Sequence, residues 1–342
     1  MRILITGGCG FVGSNLAIYL KKRLKNSKIS SLDNLFRNGS KVNQIRLKKI
    51  KITNYKINIQ DYNKVSRLPK FDLIIDCCAE PAIEASDKEP DRVISTNLFG
   101  TFNILKKCKK DKSKILFLST SRVYSIDSLR KLIKQKNIIN KVNTKYTIDE
   151  NFETNSPKSL YGFSKLSSEY LIKEYSYSDN IKYIINRFGV IAGPWQFGKQ
   201  DQGFMSLWVA RHLFKNKLSY IGFGGHGNQI RDVIHIDDVS NIIYLQILNL
   251  NKKFNNTFNI GGGLKNSISL KQLTHKCEKL TGNKLKFMKI KKTSKFDIPY
   301  YVTNNRKINN FYNWKPLKNI DNILKDVHEW LINNRKIKKY FR

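Results

Sequence analysis

In the stretch SLYGFSK, residues 159–165, a tyrosine and a lysine stand four positions apart shortly after Pro157. On a helix, positions i and i+4 lie on one face, so the Tyr161 phenol and the Lys165 ammonium point the same way. A phenol has a reference pKa of about 10, and making its phenolate abundant near neutral pH costs about 4 kcal/mol. One cation about 4 Å away returns roughly that amount at an effective dielectric near 20. The pair therefore suits base catalysis, with the phenolate as proton acceptor and the ammonium as its tuner. A solvated amphipathic helix face has the same spacing, so the rest of the chain must decide between the two.

A second constellation lies near residue 1. In ITGGCGFVGSNL, Gly7, Gly10 and Gly13 follow an apolar strand and open a helix. Glycines there let the backbone approach a pyrophosphate at a helix N-terminus. Asp33 ends the next apolar run, twenty residues beyond Gly13, the offset expected of a carboxylate that binds the adenosine ribose. Together they point to a dinucleotide. A carboxylate at that place repels a 2′-phosphate and favours NAD, while the nearby Arg37 works against that preference.

The elements that carry these residues alternate. RILIT (2–6), KISSL (28–32), FDLIID (71–76), KILFLS (114–119) and IKYIINR (181–187) are short apolar runs separated by longer helical patterns. That rhythm means βαβ units and a buried parallel sheet. After Arg187 it gives way to loops rich in Gly and aromatics, GVIAGPWQFGKQDQG and YIGFGGHGNQIRD, which suit a smaller domain closing over a ligand. The expected fold is α/β, a Rossmann-type doubly wound parallel sheet with a smaller C-terminal α/β substrate domain. The expected boundaries are 1–187, with 236–261 returning to it, for the first domain, and 188–235 with 262–342 for the second. Residues 125–157 are long for a connection between a strand and a helix, and read as a lid or as a solvated insertion.

At 342 residues and 40% apolar composition the chain can bury a sizeable core. Five cysteines, with no CxxC and no Cys/His cluster, indicate neither a disulfide frame nor a metal site, and fit a reducing cytoplasm. No apolar run is long enough to span a bilayer, so no membrane is expected. Sixty-three basic against 26 acidic residues give a net charge of +37, a balance associated with nucleic acid. Here the lysines run through the whole length, mixed with Asn and Ile, which resembles compositional bias more than a built patch. No specific nucleic-acid partner is expected, although a general attraction for anionic ligands is.

With TGGCGFVG, STSRVY and YGFSK in this order, nearly the whole chain resembles the extended short-chain dehydrogenase/reductase family, the NAD-dependent nucleotide-sugar epimerases and dehydratases. In that family a Thr or Ser three positions before the VY pair joins the tyrosine and lysine, which implies a catalytic set of Thr120, Tyr161 and Lys165. The resemblance implies NAD held along Gly7, Gly10, Phe11, Val12, Gly13, Asp33, Asn34, Asn58, Ile59, Ala79, Asn97, Tyr161 and Lys165. On the substrate side it implies Glu80, Thr120, Arg122, Tyr161, Gln196, Gln202 and Arg231, with Arg231 on the diphosphate of a nucleotide-diphosphate sugar, a task suited to a guanidinium fork. Asn259 in FNIGGG is a further match. Two positions depart from the pattern: Asn58 stands where an Asp commonly meets the adenine, and CCAEP (77–81) replaces a small-residue run ending in Gln, leaving Glu80 near the site.

The residues just after Thr120 bear on the reaction. The 4,6-dehydratases of the family follow their threonine with an Asp-Glu pair that protonates the departing hydroxyl and removes a carbon-bound proton. This chain has Ser121-Arg122, which favours an epimerase. In the implied mechanism Tyr161 takes the proton of a sugar hydroxyl, Thr120 bonds the same oxygen, and Lys165 lowers the Tyr161 pKa and holds the nicotinamide ribose. The ketosugar then turns over and takes the hydride back on its other face, so the cofactor stays bound. The helices at 91–110 or 158–175 would pair across a two-fold axis, as in relatives, in a homodimer. A competing reading, a nucleic-acid-binding relative that has lost catalysis, draws on the +37 charge but gives no reason for the complete catalytic set. A 4-epimerase of UDP-sugars would use the same residues, so the sequence leaves nucleotide, sugar and carbon open.

Overall fold

The apolar runs become the strands of one parallel sheet. In the structure, a computed structural model that describes residues 1–81, 87–135, 146–199 and 202–341, these strands are β1 (Arg2–Thr6), β2 (Lys28–Leu32), β3 (Thr53–Tyr55), β4 (Leu73–Asp76), β5 (Lys114–Thr120), β6 (Tyr183–Phe188) and β7 (Asn256–Ile260). They lie in the order β7-β6-β5-β4-β1-β2-β3, and the pairings from β6 through to β3 are parallel. Consecutive side chains of a strand face opposite sides of the sheet. Ile3, Leu4 and Ile5 are all fully buried, as are Leu73, Ile74 and Ile75, so both faces are covered and the strands read as continuous apolar runs. Strand order reverses at β1 and β4, and the crevice beyond the carboxyl ends at such a point is where this architecture binds ligands.

The α/β doubly wound class expected from the alternation is what the chain forms. Two strands were not marked by apolar runs. β3 is the polar tripeptide TNY, recruited by pairing with β2, and β7 closes the other edge of the sheet.

The chain divides into two units. The first comprises Met1–Val123, Ser159–Phe188 and Val239–Phe258, and the second Tyr124–Lys158, Gly189–Asp238 and Asn259–Arg342. The second unit therefore takes up residues 124–158, which the strand and helix rhythm had grouped with the first. Long-range bonds explain it: Ile148 donates to the Val302 carbonyl at 2.8 Å and Asn304 donates back to Ile148 at 2.9 Å. The Tyr300 hydroxyl donates to the Tyr146 carbonyl at 2.6 Å, and Arg130, on the helix Ile126–Gln135, donates to the carbonyls of Ser294, Lys295 and Asp297. The described part of this segment is thus built into the second unit, whereas 136–145 lie outside the described residues. In that unit the strand Ile230–His235 pairs parallel with Val190–Ala192 and Tyr300–Tyr301 and antiparallel with Ser267–Ser269. Its core gathers Trp208, Val209, Ile323, Val327, Trp330 and Leu331.

Candidate active site

The turn after β1 is shaped by backbone. Gly7 sits at φ +59°, where a side chain is strained, and a Cβ on Gly13 would lie 2.4 Å from the Gly7 carbonyl oxygen and 2.7 Å from the Gly8 Cα. Gly10 is different: a Cβ there would meet the Gly7 oxygen at 3.0 Å and nothing else within 4 Å. Gly10 is also the N-cap of α1 (Phe11–Arg23), with no side-chain cap. The first-turn amides, those of Phe11, Val12 and Gly13, therefore receive no side-chain cap and lie at the positive end of the helix. This cradle fits the pyrophosphate of a dinucleotide.

Asp33 follows β2 and is folded against the same turn. Its Oδ2 accepts from the Cys9 amide at 3.0 Å and its Oδ1 from the Leu35 amide at 2.8 Å. Burial pushes its carboxyl above the usual range, against those amides and the Arg37 charge, which act to lower it. Asn34 is exposed and accepts from the Phe36 amide at 3.0 Å, closing a turn. Asn58 is exposed and bonds Gln60, while the Ile59 side chain is a core residue, 3% exposed.

Beyond β4 the chain runs through Cys77, Cys78 and the half-buried Ala79 to Glu80. Asp76, fully buried, fixes this exit: it accepts from Thr6 Oγ1 at 2.5 Å and Thr101 Oγ1 at 2.9 Å. Sequence reasoning passed over it, although a carboxylate ending an apolar buried strand is itself a signal, since buried charges are kept only with partners. Glu80 has both carboxylate oxygens occupied, by Arg37 at 2.7 Å and Arg92 at 3.3 Å. Asn97, fully buried in the π-helical turn Ser95–Phe99, accepts from the Glu80 amide at 2.7 Å and donates to the Glu80 carbonyl at 3.2 Å and to Ser164 Oγ at 3.0 Å. Its amide thus links the Glu80 main chain to Ser164 of the helix that carries Tyr161.

Tyr161 and Lys165 lie on the helix Leu160–Asp179. Ser159 caps that helix, its hydroxyl accepting from the Gly162 amide at 3.2 Å, so Tyr161 falls in the first turn. Further along, the buried Glu169 binds Arg187 of β6 at 2.7 Å and Ser119 of β5 at 2.5 Å, tying the helix to the sheet. Tyr161 hydrogen-bonds Thr120, whose Oγ1 accepts from the Arg122 amide at 3.2 Å. Burial raises the Tyr161 pKa, while the Thr120 bond and the charges of Arg122 and Arg37 lower it.

Lys165, expected to tune Tyr161 and hold the nicotinamide ribose, has its ammonium against the sheet. Only 1% exposed, its Nζ lies 3.8 Å from the centroid of the Phe117 ring. Burial lowers its pKa, and the Asp76 carboxylate is the strongest influence holding it up. The i, i+4 spacing sets a shared helix face, but a four-carbon stem decides where the charge ends, and here it ends on the sheet.

In the second unit Arg231 donates to Asp297 Oδ1 at 3.1 Å and to the Ile298 carbonyl at 2.6 Å. Gln196 is held by the Ile191 carbonyl at 2.9 Å and by Ser206 Oγ at 2.7 Å. Gln202 pairs through its main chain with Lys199; its neighbour Asp201 lies outside the described residues. Asn259 accepts from the Tyr124 hydroxyl at 2.6 Å and donates to the Ile148 carbonyl at 3.0 Å. Among the described residues, His235, Asp237 and Asp326 come close enough to hold a cation. Lys318 already bridges the two carboxylates, at 3.0 and 2.5 Å. The Asp237 amide donates to His235 Nδ1 at 3.0 Å, which puts the ring proton on Nε2 and leaves no lone pair for a metal there.

A parallel sheet of this order and a glycine turn facing a helix N-terminus define a dinucleotide-binding α/β fold, with the Thr120–Tyr161 pair beyond the strand ends of the same sheet. The sequence profile of the NAD dependent epimerase/dehydratase family matches residues 3–261, and the chain belongs to that family, with NAD as its cofactor. It is 28% identical to the CDP-paratose 2-epimerase of Salmonella typhi, over 96% of this chain and 99% of that protein. It is 33% identical to a dTDP-D-glucose 4,6-dehydratase of Dictyostelium discoideum over 76% of this chain, a match that spans 58% of that protein's length. The structure of a Thermotoga maritima UDP-glucose 4-epimerase with UDP-glucose superposes with a TM-score of 0.82 at 24% identity, covering 98% of this chain and 100% of that one.

Proposed function

We propose that the chain is an NAD-dependent epimerase of nucleotide-diphosphate sugars, inverting one sugar carbon through a transient ketosugar, with a CDP-linked deoxysugar inverted at C2 as the favoured substrate. The observation that carries this reading is the Tyr161–Thr120 hydrogen bond beside Ser121-Arg122, where a dehydratase would need its acid and base. NAD, when bound, accepts a hydride from the sugar carbon and gives it back.

Tyr161, as phenolate, takes the proton from the sugar hydroxyl and later returns it. Thr120 accepts from the Arg122 amide, which turns its own proton toward the Tyr161 oxygen and favours the phenolate. The Arg122 and Arg37 charges favour it further. Lys165 is buried with its ammonium against Phe117, and Asp76 is the strongest influence favouring its charged form. Arg231, oriented by Asp297, is the cation proposed for the substrate diphosphate.

Phe99, Phe163 and Tyr170 are exposed on the two helical segments expected to pair, which supports a homodimer. No helix among the described residues is long and apolar enough to cross a membrane, and the five cysteines are free, in keeping with a reducing compartment.

The test is a panel of CDP- and UDP-sugars incubated with purified protein without added NAD, read by NMR and mass spectrometry. The reading expects an isomer of unchanged mass and no released reduced cofactor. Turnover of CDP-sugars at C2 supports the favoured substrate, whereas inversion of UDP-sugars at C4, which needs the same residues, would replace it. A product lighter by one water would make the chain a dehydratase.

A further inference from the structure

Arg37 stands four residues beyond Asp33, in the stretch between β2 and the helix Ser40–Lys49, where a cation accommodates the 2′-phosphate of NADP. The structure draws it elsewhere. Its Nη1 donates to Glu80 Oε1 at 2.7 Å, and the other Glu80 oxygen lies 3.3 Å from Arg92 Nη2. Arg92 in turn pairs with Glu89 at 2.6 Å and lies over the Phe36 ring, 5.0 Å from its centroid. Charges therefore alternate along Arg37, Glu80, Arg92 and Glu89, and the set is neutral.

The two partners differ in how firmly they are held. The Glu80 side chain is 7% exposed and that of Arg37 33%. Both main-chain polar groups of Glu80 are fixed by Asn97, which Ser164 of the catalytic helix holds in place. The Glu80 backbone cannot follow if the guanidinium moves, so drawing Arg37 toward a phosphate would strip a buried carboxylate of a charged partner.

We infer that Glu80 is a specificity-determining residue for the cofactor: by holding Arg37 away from the adenosine 2′ position, it leaves Asp33 as the group that meets the ribose and so excludes NADP. This rests on the reading of Asp33 as the ribose carboxylate. It adds to the substrate contact implied by resemblance a part in which both Glu80 oxygens serve arginines.

The experiment is calorimetric titration of nucleotide-free protein with NAD and with NADP. Glu80→Gln is expected to tighten NADP binding by about tenfold, the size of one charge-assisted hydrogen bond, with NAD affinity within about threefold of wild type. Adding Arg37→Ala should abolish that gain. Glu80→Asp, which shortens the reach to Arg37, should move the ratio in the same direction and serves if Glu80→Gln melts early. An unchanged NADP-to-NAD ratio, an equal weakening of both, or a gain that survives Arg37→Ala would each overturn the inference. Wild-type protein that binds no NAD, or an Asp33→Asn variant with unaltered NAD affinity, would instead sink the reading of the ribose site on which it stands.

Discussion

The glycine turn and the catalytic helix serve strand ends of one sheet, yet they are made of different material. The turn is backbone: Gly7 at φ +59°, Gly13 pressed against the Gly7 carbonyl, and the uncapped amides of α1. The surroundings of Tyr161 are made of side chains that converge from separate elements, with Thr120, Arg122 and Arg37 all acting on its phenol. A backbone site depends on residue types at fixed offsets, so a local pattern can announce it. A side-chain site depends on where flexible stems end. Arg37 links the two regions through its charge, which acts on Asp33 as well as on Tyr161.

The largest effect should come from Tyr161→Phe, which removes the proton acceptor and keeps the ring. Turnover should fall by at least about a hundredfold, the usual contribution of a positioned acid–base group, with NAD affinity within about threefold. Residual turnover near that of wild type would place the base elsewhere.

Next come the glycines, where the comparison predicts a contrast. Gly13→Ala would set a Cβ 2.4 Å from backbone oxygen, so the turn must move; stability should drop by about 1–3 kcal/mol and NAD binding should be lost. Gly10→Ala meets one backbone atom at 3.0 Å and should weaken NAD while leaving the melting temperature close to wild type. Equal melting temperatures for the two variants would show that the turn is less rigidly packed than its backbone contacts imply.

The smallest effect is electrostatic. Under the proposed mechanism Tyr161 is active as the phenolate, so kcat/KM should rise with pH as it deprotonates. The Arg122 charge lowers its pKa, so Arg122→Gln raises that pKa and moves the rising limb to higher pH, with a loss of rate on the acid side and little change on the plateau. A profile recorded over about pH 6 to 10 reads this directly. An unmoved limb would return the tuning role to Lys165.

The same division explains what was legible in the sequence. Strands β1 and β2 coincide with RILIT and KISSL, and the family and NAD follow from the glycine spacing with Asp33 and the YxxxK pair. Distance in sequence hid the rest. β3 is polar and exists because β2 pairs with it. Residues 124–158 join the second unit because Ile148 finds Val302 and Asn304, partners no local pattern names. Lys165 shares a helix face with Tyr161, yet its ammonium rests on Phe117, and the cations that act on the phenol are two arginines outside the motif. The bonds of Asn97 to Glu80 and Ser164 join residues far apart in sequence.

The central claim is that one hydrogen leaves a sugar carbon as hydride and returns to that same carbon, with Tyr161 handling only the hydroxyl proton. Running the reaction to equilibrium in deuterated water, with the nucleotide sugar that the panel identifies, tests it most directly. NMR of the inverted carbon should show its hydrogen retained and no deuterium gained, because a hydride shielded from solvent does not exchange. Deuterium at that carbon would mean deprotonation next to a carbonyl, and would contradict the roles of Tyr161 as hydroxyl base and Thr120 as its hydrogen-bond partner.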